Sequence, residues 1–241
     1  MSADNHGSAG PVRGSRSAAF ALVSILAALT IAAPAQAQTA PVVENGSFET
    51  DTVDAAPGSD LKGGNGNGMI SNWSISGPSM WLVKNKSEGG VWDAQDGRNS
   101  VSLMGNETGS TTFPSIQQTV TGFVKGWTYS LNFWMSGSPS PSTVYGNIKT
   151  LAAYFSRPLN GVGTTSSQIF SFNIDKQLPD RPVAGITWDN MGWEQKSMIF
   201  TYDGDPGPSS IGFYSLANSD GYGGTGYTQG DNGPVIDNVS L

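Results

Sequence analysis

The sequence predicts an all-β protein, a two-sheet antiparallel β-sandwich, and three observations predict it. Glycine is abundant and charged residues are sparse. Short apolar or aromatic runs are separated by clusters of Gly, Asn, Ser, Asp and Pro, the pattern of many strands joined by tight turns. Beyond residue 37 no helical period is sustained over more than two turns.

The strand candidates are residues 70–75, 80–83, 99–104, 116–121, 127–135, 150–155, 168–174, 196–202, 211–216 and 235–241. The clearest is 127–135, where Trp127, Tyr129, Leu131, Phe133 and Met135 alternate with Thr128, Ser130, Asn132 and Trp134. A period of two places the first set on a core face and the second on an outer face. So many short strands, each with one apolar face, must pack as two sheets, and a jelly roll is the expected topology. The glycine-rich pieces 62–68 and 220–233 read as surface loops. Residues 38–241 show no Pro/Ser linker, charge run or internal repeat, so they read as one domain.

The first 37 residues stand apart. Arg13 and Arg16 precede an apolar run over 18–33, followed by Pro34 and Ala35-Gln36-Ala37. A basic segment, a short apolar segment and small residues at the end are the three parts of a cleavable signal peptide. The run is shorter than the roughly 20 apolar residues of a membrane span, and no later segment qualifies. Export to the periplasm, the cell surface or the medium is the expectation.

Cleavage after Ala37 changes what the chain can do. Taking Arg13, Arg16 and Asp4 from the 12 basic and 19 acidic residues leaves 10 and 18, a net charge of −8. An acidic domain repels phosphate backbones, so nucleic acid is not an expected partner. His6, the only histidine, leaves with the leader, and the chain has no cysteine. Ser-His-Asp and Cys-His catalysis, His/Cys zinc sites, His-ligated haem and disulfides are thereby excluded from the mature domain.

Three passages carry a family resemblance: residues 45–49 (Asn-Gly-Ser-Phe-Glu), 92–103 (Trp-Asp-Ala-Gln-Asp-Gly-Arg-Asn-Ser-Val-Ser-Leu) and 233–241 (Gly-Pro-Val-Ile-Asp-Asn-Val-Ser-Leu). With Ile116-Gln117-Gln118 and the Tyr-x-Leu-x-Phe strand that follows, they resemble the bacterial choice-of-anchor C family. They are also similar to plant cell-wall domain-of-unknown-function proteins and to xylan- and glucan-binding modules with a galactose-binding-like jelly roll. Members often carry a C-terminal anchoring tail; this sequence stops within the closing motif, so the expectation is a free domain held by what it binds. The resemblance also implies a structural Ca2+ where the first and last strands meet, with Glu49 and Asp237 at the matching positions. The alternative is that both acids cap strand ends. Calcium takes six to eight oxygen ligands and needs neither His nor Cys, which suits an acidic domain.

A polysaccharide or glycan ligand would need aromatic platforms and polar groups in a preformed groove. Trp73, Trp127 and Tyr129 fall on apolar strand faces and read as core. Trp134 shares its face with polar residues, and Tyr154 lies opposite Leu151, Ala153 and Phe155, so both are candidates for a binding face. Tyr222 and Tyr227, in the glycine-rich loop, are further candidates, the alternative being a soluble connector. Trp81 and Trp92 flank residues 84–90 and could form another aromatic edge.

The leading expectation is an exported, non-catalytic carbohydrate-binding protein of the cell envelope or extracellular matrix. The alternative is a structural or adhesive surface protein that binds protein partners or its own copies. A glycosidase, run by carboxylates such as Glu49, Glu107 or Glu194, is the third reading, but no spacing pairs them.

Overall fold

A computed structural model of the chain describes residues 39–54, 58–63, 69–77, 80–103, 114–139, 148–175, 185–216 and 233–241. All of these lie in one compact unit, Gln38–Leu241. Eleven strands form among the described residues: β1 (Ser59–Lys62), β2 (Ser74–Ser76), β3 (Met80–Lys84), β4 (Asn99–Ser102), β5 (Ser115–Val120), β6 (Thr128–Gly137), β7 (Ile148–Leu159), β8 (Val162–Asn173), β9 (Glu194–Thr201), β10 (Ser209–Ser215) and β11 (Pro234–Ser240). The only helix among the described residues is one 3-10 turn, Lys86–Glu88. No helix among them is long and apolar enough to cross a membrane.

Every strand pairing is antiparallel. One sheet has the order β1-β3-β4-β11-β6-β9 and the other β2-β5-β10-β7-β8. The last eight strands therefore lie as β4-β11-β6-β9 over β5-β10-β7-β8. This is the strand order of a jelly roll, two Greek keys wrapped into a sandwich. The expected fold class is the observed one.

The core is built by alternation. Leu131, Phe133 and Met135 of β6 point inward and are fully buried, with Leu82, Val101 and Ile236 beside them on their sheet. Ile116, Leu151, Phe155, Ile211 and Phe213 meet them from the other sheet. Phe133 packs edge-on against Phe213, ring centroids 4.8 Å apart, and Phe155 stacks on Phe200 at 4.1 Å. Burial on this scale supplies the stabilisation that a domain without disulfides must find in its core.

Two expectations about strands are corrected. Trp127, read as core, is 63% exposed. Its N–H bonds the Val124 carbonyl in the turn that precedes β6, so the two-residue period ran one step past the strand. Residues 162–167 were not read as strand, yet β7 and β8, twelve residues each, form a hairpin closed by Asn160-Gly161, with φ of 52° and 75°. That is the left-handed pair a two-residue hairpin turn requires, and Asn-Gly is its preferred sequence.

Candidate functional site

The three passages that carry the resemblance converge in space as one polar knot. Glu49 Oε1 accepts the backbone N–H groups of Arg98 and Asn99, both at 2.8 Å, and its Oε2 faces Arg98 Nε at 3.4 Å. Asn99 returns the contact: its Nδ2 donates to the carbonyls of Phe48 and Asp51, each at 2.9 Å. Gly97 makes room, since a Cβ there would lie 2.6 Å from the Glu49 carboxyl carbon, and its φ of +62° suits glycine. From the last strand, Asp237 Oδ2 accepts the N–H groups of Gln95 (2.9 Å) and Asp96 (3.1 Å), and Oδ1 accepts that of Asn238 (2.7 Å).

Asp237 has no exposed surface. Burial pushes its carboxyl well above the usual carboxylate range, the three N–H donors pull it back, and the Glu49 charge adds to the rise. Two carboxylates thus converge on residues 95–99, one raising the other. The chemistry of this donor set suits calcium, but its number is short. Three of the four oxygens already accept N–H donors, Arg98 faces the fourth, and no group of three or more Asp, Glu, His or Cys stands together among the described residues. A cation here would draw the rest of its oxygens from backbone carbonyls and water.

The outer face of the six-stranded sheet is roofed at one end. Val83, Trp92, Met191 and Val235 form a second buried cluster, with Trp81, Val91, Trp188 and Trp193 packed against it. Trp92 is fully buried, stacks on Trp188 (5.9 Å, 13°) and donates to Ser100 Oγ at 2.9 Å. The Ser136 hydroxyl donates to the Met191 carbonyl at 2.6 Å, and Trp193 Nε1 to that of Asp93 at 3.1 Å. Segments 85–98 and 185–193 are pinned onto the sheet in this way. Trp92 is therefore a buried pillar rather than an aromatic edge, and Trp81 leans on it half-buried. Trp134 is also half-buried on this face, in register with Asp237 on one side and Gln195 on the other.

Tyr154 lies on the opposite outer face, so it and Trp134 do not line one groove. Its ring sits over Gly212, where a Cβ would come within 2.6 Å of the Tyr154 ring and 2.5 Å of the Ile116 carbonyl. The hydroxyl donates to Gln117 Oε1 at 2.9 Å across β10. Tyr214 of β10 stands beside it, ring centroids 6.0 Å apart and planes tilted by 44°. Burial raises the Tyr154 phenol to about 12, with Tyr214 contributing. In register with these rings are Ser74, Ser115 and Ser167 on the neighbouring strands. The result is a half-buried aromatic pair edged by hydroxyls and an amide. Sequence reasoning missed Tyr214 and Gln117; the alternation of Tyr214 with the core residues Ile211, Phe213 and Ser215 was the available sign. Tyr222 and Tyr227 lie outside the described residues.

The family model of a "protein of unknown function (DUF642)" matches residues 41–241. The chain belongs to the DUF642 family. Its DUF642 match runs from just before the opening motif to the end of the closing one, so both strands that feed the knot fall inside it. The chain is also 30% identical over 118 residues to halomucin of Haloquadratum walsbyi, an alignment covering 48% of this chain and 1% of that protein. Among solved structures it is similar to TmCBM61 in complex with β-1,4-galactotriose, at 17% identity and a TM-score of 0.41, covering 82% of this chain and 94% of that one. A second is the CBM22-1 xylan-binding domain of Paenibacillus barcinonensis Xyn10C (10%, TM-score 0.38, 76% and 90%). A third is the enzymatically active domain of bacteriophage CBA120 tailspike protein 4 (16%, TM-score 0.43, 82% and 20%).

The acids considered for hydrolysis have other partners in this DUF642 domain. Glu49 is bound into the knot, and Glu194 pairs with Lys196 at 2.6 Å. Glu107 lies outside the described residues.

Proposed function

We propose that the mature domain, residues 38–241, is an exported, non-catalytic glycan-binding module. In this reading its ligand lies on the outer face of the five-stranded sheet, across Tyr154 and Tyr214. The observation that carries it is the pair of half-buried rings side by side on neighbouring strands of one sheet face, with Gln117 and three serines in register around them. Sugar rings present apolar C–H faces and equatorial hydroxyls, and this surface offers an aromatic floor with donors and acceptors at its edge. A net charge of −8 favours neutral over anionic polysaccharides. Kinship with the choice-of-anchor C proteins belongs to the same proposal, as does release by cleavage after Ala37. So does a structural calcium at the knot, where Glu49 and Asp237 would supply two ligands and the cation would discharge their repulsion.

Affinity electrophoresis or isothermal titration against neutral cell-wall polysaccharides tests the reading. Tyr154→Ala and Tyr214→Ala should each weaken binding about tenfold or more, the 1.4 kcal/mol expected of a stacking ring. Trp134→Ala, on the opposite face, should leave it unchanged. Absence of binding across the panel, or equal loss from all three variants, would sink it.

A further inference from the structure

The loop between β9 and β10 contains a chemically weak peptide bond. Asp205-Pro206 is the only Asp-Pro pair in the sequence. Mild acid breaks such a bond more readily than other peptide bonds, for two reasons. The Asp carboxyl reaches its own carbonyl carbon through a five-membered ring, and the nitrogen that must leave is proline's, a tertiary amide. Here the residue is held at three points. Its N–H donates to the Pro158 carbonyl at 2.8 Å, its Oδ2 accepts the N–H of Asn160 at 2.6 Å, and its carbonyl oxygen accepts the Tyr202 hydroxyl at 2.5 Å. Tyr202 is 2% exposed, so its hydroxyl donates with little competition from water. Gly204 gives it passage, since a Cβ there would lie 3.0 Å from the Tyr202 hydroxyl and 2.9 Å from the Pro158 carbonyl oxygen. Arg157 forks onto Asp203 instead, and among the described residues no ion pair holds Asp205 and nothing bonds its Oδ1. Pro206 is exposed to water and its acid.

We propose that the folded chain cuts itself between Asp205 and Pro206. Asp205 Oδ1 attacks the Asp205 carbonyl carbon, and negative charge develops on the carbonyl oxygen, where Tyr202 already donates. The C–N bond then breaks, its electron pair leaves on the Pro206 nitrogen with a proton from solvent, and a cyclic anhydride remains at Asp205. Water opens the anhydride. In sum, one peptide bond and one water become a carboxyl at Asp205 and an amine at Pro206. Acid speeds the cut because the leaving nitrogen must take up a proton. The cut chain stays assembled, because residues 206–241 carry β10, which lies between β5 and β7, and β11, which lies between β4 and β6. Tyr154 and Tyr214 then belong to different fragments, so losing the smaller one dismantles that face. The cut itself does not depend on the glycan reading.

The test holds the purified chain at the lowest pH where its circular dichroism is still native, beside the same chain unfolded in guanidinium chloride at that pH. Intact-mass spectrometry should find two fragments whose masses sum to the chain plus one water, the smaller beginning at Pro206. The folded chain should be cut about tenfold faster or more, a modest return for one buried donor on a developing oxyanion. Tyr202→Phe should bring the folded rate down to the unfolded one. Should that variant not fold, Asp205→Glu decides: it keeps the charge but must close a larger ring, so the bond should stay whole. A folded chain cut no faster than the unfolded one, a cut at another bond, a folded Tyr202→Phe that cuts at the unaltered rate, or an Asp205→Glu chain that is still cut would each overturn the proposal.

Discussion

The two outer faces of the sandwich both carry aromatic side chains and use them in opposite ways. On the six-stranded sheet, segments 85–98 and 185–193 fold back over the strands, so Trp92 is fully buried and its indole N–H is spent on Ser100. On the five-stranded sheet Tyr154 and Tyr214 remain half-buried, flat on the strands, with small residues beneath. An aromatic ring enclosed on all sides contributes packing; one with an open flank keeps area that a ligand can cover. The difference is one of cover rather than of residue type.

The strongest way to break this comparison is Trp92→Ala. It removes a fully buried indole and leaves Ser100 Oγ without its donor, so a loss of about 3–5 kcal/mol is expected by denaturant unfolding. Binding at the tyrosine face, measured well below the transition, should persist. A loss under about 1 kcal/mol would mean that the roof is not part of the folded core.

The knot joins the roof to both chain ends of the domain, and calcium is the next lever. If it binds between Glu49 and Asp237, millimolar calcium should stabilise the chain over chelator by about 2–3 kcal/mol at a hundredfold excess over its dissociation constant. Asp237→Asn should abolish that increment. An identical melting temperature in calcium and chelator would leave the two carboxylates as caps for the N–H groups of residues 95, 96, 98, 99 and 238.

Much of the fold could be read from the sequence because the core strands alternate. Strand β6 showed its inward set at Leu131, Phe133 and Met135 without help from any neighbour. The first half of β8, residues 162–167, hid because it is largely open to solvent and has no reason to alternate, and only Asn160-Gly161 announced the hairpin; its second half, where Phe170 and Phe172 turn inward, was read as strand. The site was less legible for a related reason. Tyr154 becomes part of a pair only through Tyr214, sixty residues away, and Trp92 becomes a pillar only because Trp188 closes on it. Cross-strand neighbours decide both, and a single sequence does not order its strands. The three motifs, by contrast, were visible as separate passages, but their convergence on residues 95–99 is a product of β4 and β11 lying side by side.

On the open face, Gly212→Ala is the sharper probe of how closely Tyr154 lies against the sheet. The new methyl group would meet both the Ile116 carbonyl and the Tyr154 ring. Overpacking of this kind costs about 1–3 kcal/mol. It should also weaken polysaccharide binding, because the ring must lift away from Tyr214. A variant with unchanged stability and affinity would show that the ring has room to spare.

The smallest expected effect is a titration. Folding raises the Tyr154 phenol from 10.0 to about 12, chiefly by burial. A group that holds its proton more tightly when folded gives stability that is present below its unfolded pKa and lost as pH climbs toward the folded one. The domain should therefore weaken between pH 10 and 12, and one tyrosine should ionise late by absorbance at 295 nm. Tyr154→Phe should remove that late component and flatten this part of the stability curve, at a cost of about 1 kcal/mol at neutral pH for the hydrogen bond to Gln117. A sugar laid across the open flank would bury the phenol further and delay its ionisation, whereas the rings of the roof among the described residues are tryptophans, which do not titrate. A late component that stays fixed when a binding polysaccharide is added would place the ligand away from Tyr154, and the contrast between the two faces would then have to be drawn on cover alone.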